Sequence, residues 1–517
     1  MRINNSLKNI SIGILSQIVI ILLGFVSRKV LIDNLNINYL GINGLLTNIF
    51  SVMVLVEGGI GISIVYNLYK PLAENNKYKV IALVQLYKRI YSILALIVVV
   101  FSLALFPFLG GLIKDEASIN NLTIVYFLFV AKSVISYLNA HKWSLINADQ
   151  KGYVIARTNL YFQIITTLFK IVVLVLTKNF IFYLLLELFL YIIQNIVNGR
   201  IVNTRYSYIK TKEKHHLEYE TKVNLKTNVK AMFLHNFGGF LVFGVDNLLI
   251  SSFIGLAAVG IYSNYTMVIN QATAVVNSIL GGIGASVGNL IATETIEKNY
   301  SIFKVTFFIN FWIYSIVVIF LFNVLGPFIS WWLGKAYVLD NITFIFIIIN
   351  LYLLGMRTSI ATFKNKAGLF TQDKYIPILE GLINLVVSII LVKSLGLVGI
   401  FIGTMVSTIL TVFFSQPIIV YKHLFKKPVH TYFVTYSYYT VLTVTICYIT
   451  SIICQISTPG NSLISLIVKG LVCIIVPNLI YIIIFNKKDE FGYLLNVISS
   501  YKEARFQKRV KKISKSI

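Results

Sequence analysis

The chain has 517 residues, 57% hydrophobic and 12% charged, with a mean hydropathy of +0.81. A soluble domain carries roughly a quarter charged residues, so an ordinary water-soluble enzyme or binding module is excluded. The formal net charge of +26 would suit a nucleic-acid binder, but the basic residues sit in short connectors on one side of long apolar segments, which speaks for membrane topology and against nucleic acid.

Fourteen apolar stretches follow one another, each of about 20 residues and able to cross the hydrocarbon core as a helix. They cover approximately 9–32, 41–68, 90–112, 119–141, 154–177, 179–199, 230–253, 258–292, 304–330, 341–363, 375–394, 396–421, 431–456 and 462–486. The expected fold is therefore all-α and polytopic, with an uncleaved first span. Arg2 and Lys8 precede that span as in a signal peptide, but it runs too long and no small-residue cleavage site follows. The longest polar connector, 204–228, separates an N-lobe of six spans (1–203) from a C-lobe of six (229–430). Two further spans occupy 431–486, and a basic tail with apolar spacing runs over 487–517.

Connector charge alternates sharply. By count, about 35 of the 45 Lys and Arg lie on one side and about 4 on the other, and the positive-inside rule places both termini in the cytoplasm. The segment Arg28–Gly41 is similar to Asn247–Gly260, each leaving a span through a short outer turn and entering the next at Leu-Gly-Ile or Val-Gly-Ile. Two such halves around a central cavity are a transporter plan.

Charges inside spans are costly and mark function by default. Lys170 and Glu187 fall at similar depth on neighbouring antiparallel spans and read as an ion pair. Lys469 is close enough to an outer end to snorkel. Lys132 falls mid-span without a local partner, and Arg28 and Lys29 sit in the outer part of the first span. Together they suggest a cationic cavity facing an anion, since Arg grips phosphate bidentately and Lys acts as a point charge. Glu57 and Asp246 are candidates for ion coupling. Two spans carry polar stripes at helical spacing: Asn43, Thr47 and Ser51, and Thr266, Asn270, Thr273 and Asn277. Such faces suit sugar hydroxyls or a watered cavity, or else helix–helix hydrogen bonds.

Gly281–Gly288 (GGIGASVG) lacks the Lys-Ser/Thr and preceding strand of a phosphate-binding loop and reads as close helix packing. Cys447, Cys454 and Cys473 lie in spans as packing residues, with no disulfide framework or zinc spacing. No hydrolytic constellation, metal site, cofactor motif or ATP-binding domain is present, so an enzyme is not expected and transport would be secondary or facilitated.

The segments SRKVLIDNLNINYLGINGLL, VEGGIGISIVYNLYKPLAENN, LINADQKGYVIARTN (145–159), VDNLLISSFIGLAAVGIYSNY (245–265) and FKNKAGLFTQDKYIPILEGLINLVVSIILVKSLGLVGIFIGT (363–404) follow in order along the chain. Through them the whole chain resembles the polysaccharide exporters of the multidrug/oligosaccharidyl-lipid/polysaccharide (MOP) flippase superfamily, of the Wzx capsule or O-antigen type. The resemblance implies two lobes in an inverted V that flip an undecaprenyl-pyrophosphate-linked oligosaccharide from inner to outer leaflet of a bacterial cell membrane. A polymerase and assembly proteins would be partners. The family's cationic cavity residues carry over to Arg28 and, less directly, Lys132 and Arg357. The spans at 431–486 look like those of fourteen-span members, which include lipid II flippases.

Competing readings are a cation-coupled drug exporter, where acidic cavity residues should dominate, and a membrane glycosyltransferase or polymerase, which needs a larger outer domain. Asp33, just past the first span, is the one feature that favours a glycosyltransferase. An assembly scaffold would leave the intramembrane charges unexplained.

Overall fold

The computed structural model describes residues 19–496 except 114–118, 120, 150, 212, 214, 216, 218–243, 370, 371, 458, 459 and 461. Side chains at 52–64, 66, 70, 278, 279, 281–286, 289 and 292 are also outside the description. Among the described residues there is no strand; the protein is an all-α membrane protein. Among the described residues nine helices are long and apolar enough to span a bilayer, and a pair bent by 44°, Leu122–Leu138 with Ala140–Ala148, passes the same test when taken together. The other four expected spans are the helix over 19–34, two long helices described below, and 230–253, of which only 244–253 is described, the last eight residues as helix.

In chain order the elements are α1 (19–34), α2 (Ile37–Ala73), α3 (Lys77–Leu105), α4 (Leu122–Leu138), α5 (Ala140–Ala148), α6 (Gly152–Thr177) and α7 (Phe180–Arg205). Then come α8 (Asp246–Phe253), α9 (Leu256–Thr293), α10 (Ile296–Trp332), α11 (Asn341–Lys366), α12 (Ile376–Leu395), α13 (Leu397–Leu410), α14 (Val412–Val420), α15 (His430–Ser457) and α16 (Leu463–Phe485). Polar residues in the connectors start the helices. Asn179 accepts from the amide of Ile181 at 2.8 Å, Asp340 from Thr343 at 2.9 Å, and Ser462 from Ser465 at 3.1 Å. Each satisfies a first-turn donor that hydrocarbon would leave bare. Within spans, hydroxyls such as Thr306, Thr411 and Thr443 donate to the carbonyl four residues earlier, which hides them inside their own helix.

The chain divides into two compact units: Met1–Ser263 with Pro377–Ile400 (unit 1), and Asn264–Ile376 with Phe401–Ile517 (unit 2). The core of unit 1 joins α2, α3, α4, α5 and α7 through Leu68, Tyr87, Tyr91, Tyr137, Leu145 and Val202. The core of unit 2 is aromatic. Phe311 stacks on Tyr439 with centroids 4.0 Å apart and planes at 8°, Phe307 stacks on Tyr432 at 5.0 Å, and Phe308 meets Phe485 edge-on at 5.0 Å. Most of the expected linker 204–228 and the tail beyond 496 lie outside the described residues.

Inside unit 1, α2 crosses the start of α9. A Cβ on Gly41 would lie 2.0 Å from the carbonyl oxygen of Leu256, and one on Gly260 would lie 2.6 Å from that of Ile37. These contacts are reciprocal. Ile37 and Leu256, and likewise Gly41 and Gly260, occupy the same places in the two similar segments noted above. The paired Leu-Gly-Ile and Val-Gly-Ile sequences thus serve one purpose, letting two helix backbones touch where any side chain would hold them apart.

Candidate functional site

Helices α6 and α7 are joined by only Lys178 and Asn179, so they run antiparallel side by side. Lys178 takes the left-handed conformation, φ 49°, that closes the first helix. On α6, Tyr161, Ile165, Leu168, Val172 and Leu176 are exposed and apolar, the face a bilayer would wet. Asn159, Gln163, Thr166 and Lys170 follow the spacing i, i+4, i+7, i+11 two positions out of phase, about 200° around the helix. On α7 the exposed apolar face is Phe182, Leu185, Phe189, Ile192 and Ile196, and the polar face is Glu187, Tyr191, Gln194, Asn195 and Asn198. Lys132, Ser136 and Asn139 complete the track from α4 and its bend.

The track is anchored at membrane depth by three charges. Lys170 donates to one oxygen of Glu187 and Lys132 to the other. The expected pair Lys170–Glu187 is present. Lys132, expected to lack a local partner, is joined to the same carboxylate, because the fold brings α4 against α7 and sequence separation hid a partner 55 positions away. Two ammoniums share one carboxylate, so the cluster keeps a net positive charge. The ring of Tyr183 lies 4.1 Å from the Lys170 ammonium, and that of Tyr191 lies 6.0 Å from Lys132. Lys170 and Glu187 expose 14% and 19% of their side chains and Lys132 42%, so Lys132 is the member that reaches open space.

That space is a cavity of about 450 Å³ reached by Lys132, Asn159, Gln163, Glu187, Tyr191 and Gln194. A second cavity of about 310 Å³, reached by Trp143, Asn147, Asn195 and Asn198, shares Ala156, Asn159, Tyr191 and Gln194 with the first and continues it toward the α5 end. The amides between them are fixed by one another. Asn159 Oδ1 accepts from Gln194 Nε2 at 2.8 Å and from Asn198 Nδ2 at 2.7 Å, and Asn139 Nδ2 donates to Asn195 Oδ1 at 2.5 Å. Asn198 is 3% exposed and its Oδ1 has no protein partner. Gly199 leaves room for the amide of Asn139 and the ammonium of Lys142, which stand 3.3 and 3.4 Å from where its Cβ would be.

The other candidates fall as follows. Arg28 is part-buried in unit 1, its Nη1 donating to the carbonyl of Ser263 at 2.5 Å, and it is an electrostatic neighbour of Tyr183, the residue that also covers Lys170. Arg28 and Lys170 thus have Tyr183 as a common electrostatic neighbour. Lys29 instead pairs with Asp33 at 3.3 Å, both about half exposed; Asp33 is thereby the partner of an i, i+4 surface pair. Arg357 lies in unit 2 as a neighbour of Tyr432. Asn43 is half-buried and Thr47 exposed on α2, with the Thr47 hydroxyl donating to Asn43 O at 2.6 Å. On α9, Thr266 is half-buried, and Asn270 and Asn277 are exposed. Asp246 is 6% exposed, with Oδ1 unpartnered and Tyr262 as an electrostatic neighbour. The side chain of Glu57 lies outside the described residues.

Sequence reasoning overlooked Asn159, Gln163, Gln194, Asn195 and Asn198. The signal existed: the α6 residues repeat the spacing of Thr266, Asn270, Thr273 and Asn277.

No protein-family model matches the chain, and none of the curated proteins does. Solved structures do. The lipid II flippase MurJ in an inward closed conformation is 14% identical, with a TM-score of 0.63 over 93% of this chain and 99% of that one. An inward-facing multidrug-resistance MATE family transporter of the MOP superfamily is 14% identical, with a TM-score of 0.58 over 77% of this chain and 94% of that one. A variant of the Vibrio cholerae MATE transporter VcmN is 14% identical, with a TM-score of 0.57 over 83% and 99%. The chain has the fold of MOP-superfamily transporters.

Proposed function

We propose that the protein is a flippase that carries an undecaprenyl-pyrophosphate-linked oligosaccharide from the cytoplasmic to the outer leaflet of a bacterial cell membrane, for capsule- or O-antigen-type polysaccharide synthesis, with both termini cytoplasmic. The observation that carries this reading is the net positive cluster of Lys132, Lys170 and Glu187, of which Lys132 and Glu187 line an amide-rich cavity in unit 1. A glycan pyrophosphate cannot cross hydrocarbon unaided, because its charges and hydroxyls would lose water without compensation. Cations and amides replace that water while the lipid tail stays in the bilayer. Arg28 and Lys132 attract the pyrophosphate, and Arg357, in unit 2, is a separate proposed cavity cation. The polar face of α2 (Asn43, Thr47) and that of α9 (Thr266, Asn270, Asn277) each suit sugar hydroxyls or water.

A cytoplasm-negative potential favours outward movement of an anion by about 2.3 kcal/mol per charge per 100 mV. Asp246, buried with Oδ1 unpartnered, is one coupling candidate, and Glu57 is the other. A drug exporter for cations fits less well, since the cluster's surplus charge repels its cargo. MurJ is a lipid II flippase, and a lipid-linked oligosaccharide differs from lipid II in the glycan carried. A polymerase would act on the product at the outer face.

The test is to deplete the protein in its own host and ask, with a membrane-impermeant lectin, on which leaflet the lipid-linked oligosaccharide collects. Accumulation on the cytoplasmic face with no outer pool is the expected result. A normal outer pool with polymer missing would replace the flippase by a later enzyme or scaffold.

A further inference from the structure

We infer that the track between α5, α6 and α7 is a sugar-binding groove, in which the rings of the lipid-linked glycan lie against Trp143 and Tyr191 and exchange hydrogen bonds with Asn147, Asn159, Gln163 and Gln194. The inference rests on the flippase reading and adds to it a place and a set of residues within unit 1.

Four observations carry it. First, the apolar stripes of α6 and α7 occupy the opposite faces of their helices, so the amides are turned away from the lipid side. Amides exposed at membrane depth need water or a polar occupant, because hydrocarbon cannot satisfy them. Second, the chemistry matches a sugar. A carboxamide offers both donor and acceptor, as a hydroxyl or acetamido group requires, and an aromatic ring offers an apolar face to the C–H side of a pyranose while its edge stays polar. Third, charge is graded. Among the residues that line the 310 Å³ cavity none is ionisable apart from the Tyr191 phenol, whereas Lys132 and Glu187 stand at the far end of its 450 Å³ continuation. A neutral ring suits the first part, and an acidic substituent or phosphate suits the second. The combined space has the size of ordinary small-molecule sites. Fourth, the groove is preorganised. Asn159 holds Gln194 and Asn198 at once, so ordering costs are met before a ligand arrives, and Asn198 Oδ1 still lacks a partner.

The test uses the full chain, purified into lipid nanodiscs, with Cys447, Cys454 and Cys473 changed to Ser and one new cysteine at a time: Gln163→Cys, Gln194→Cys, and Thr177→Cys as an exposed control. Two probes are compared, the lipid-linked oligosaccharide extracted from the host and undecaprenyl pyrophosphate without sugar. With the glycan lipid at about ten times its Kd, maleimide labelling at positions 163 and 194 should slow about tenfold, because only unoccupied protein reacts. Position 177 should be unchanged with either lipid, and the sugar-free lipid, whose pyrophosphate reaches only the charged part of the space, should protect positions 163 and 194 clearly less than the glycan lipid does.

Equal protection by both lipids would put the pyrophosphate or the tail in the groove and overturn the inference. Saturable binding of the glycan lipid without protection would place the sugars elsewhere and also overturn it, leaving the flippase reading intact. Absence of binding would sink both. Because Gln194→Cys itself removes a groove amide, a second chain keeps the groove unaltered. With Trp312→Phe, Trp331→Phe and Trp332→Phe, Trp143 is the sole tryptophan, and its emission should shift with the glycan lipid and not with the sugar-free one. An unchanged spectrum in both cases counts against the groove.

Discussion

Unit 2 is held together by rings, and unit 1 carries ionic charges at membrane depth. Helix α10 buries 61% of its most apolar window, and α6 buries 11%. In unit 2 the cost of ordering is met by close ring contacts such as Phe311–Tyr439, each worth more than its area alone. In unit 1, α6 and α7 spend one face on lipid and the other on a polar track, so their position is set by Glu187 and its two lysines rather than by burial. The difference teaches where to look for work: a packed aromatic core tolerates little movement, whereas a preorganised polar face with open space beside it can exchange its partners.

That contrast can be broken, starting with the largest effect. Phe311→Ala should cost about 3–5 kcal/mol, the usual penalty for emptying a fully buried aromatic site. It should show as loss of folded protein in detergent thermal melts, with any surviving protein still selecting the same glycan. A normal melt would show that the ring stack is not the scaffold of unit 2. Glu187→Ala leaves two ammoniums facing each other and should cost about 3–5 kcal/mol, as when one partner of a buried pair is removed. Lys170→Ala alone should lower folded yield less, since Lys132 still neutralises Glu187, and the double substitution should recover part of the Glu187→Ala loss. Strict additivity in that cycle would remove the proposed cluster.

Smaller and more local effects sharpen the comparison. Lys132→Ala should leave abundance near normal, because Lys170 keeps its carboxylate, while polymer export falls. Gln194→Ala should reduce export about tenfold, the worth of one or so hydrogen bonds in a site, again with a normal melt. If both variants exported normally at equal abundance, the track would be structural packing only. Lys29→Ala, which breaks an exposed pair, should change stability by less than about 0.5 kcal/mol and leave export unaltered.

Much of the fold is legible in the sequence, because hydrophobic runs must be long enough to cross a bilayer and connector charge must alternate. The close approach at Gly41 and Gly260 is prefigured by the paired Leu-Gly-Ile and Val-Gly-Ile segments. The candidate site is only half legible. Lys170 and Glu187 could be paired on paper because a two-residue connector fixes their relative depth. Lys132 could not, because nothing local says which neighbour α4 will meet. The amides of α6 and α7 were passed over although their spacing is helical. Single Asn and Gln residues in an apolar span look like isolated helix-packing contacts until a third helix turns them toward one cavity.

By itself the sequence determined that this is a polytopic all-α membrane protein, where most of its spans run, and which charges must be accounted for. Those properties follow from the price of polar groups in hydrocarbon, which every residue meets separately. Only the tertiary structure decided that Lys132 shares Glu187 with Lys170 and that five scattered amides line one continuous space. Those are properties of packing: which helix faces meet depends on side-chain fit between segments far apart in the chain, and no local pattern encodes it.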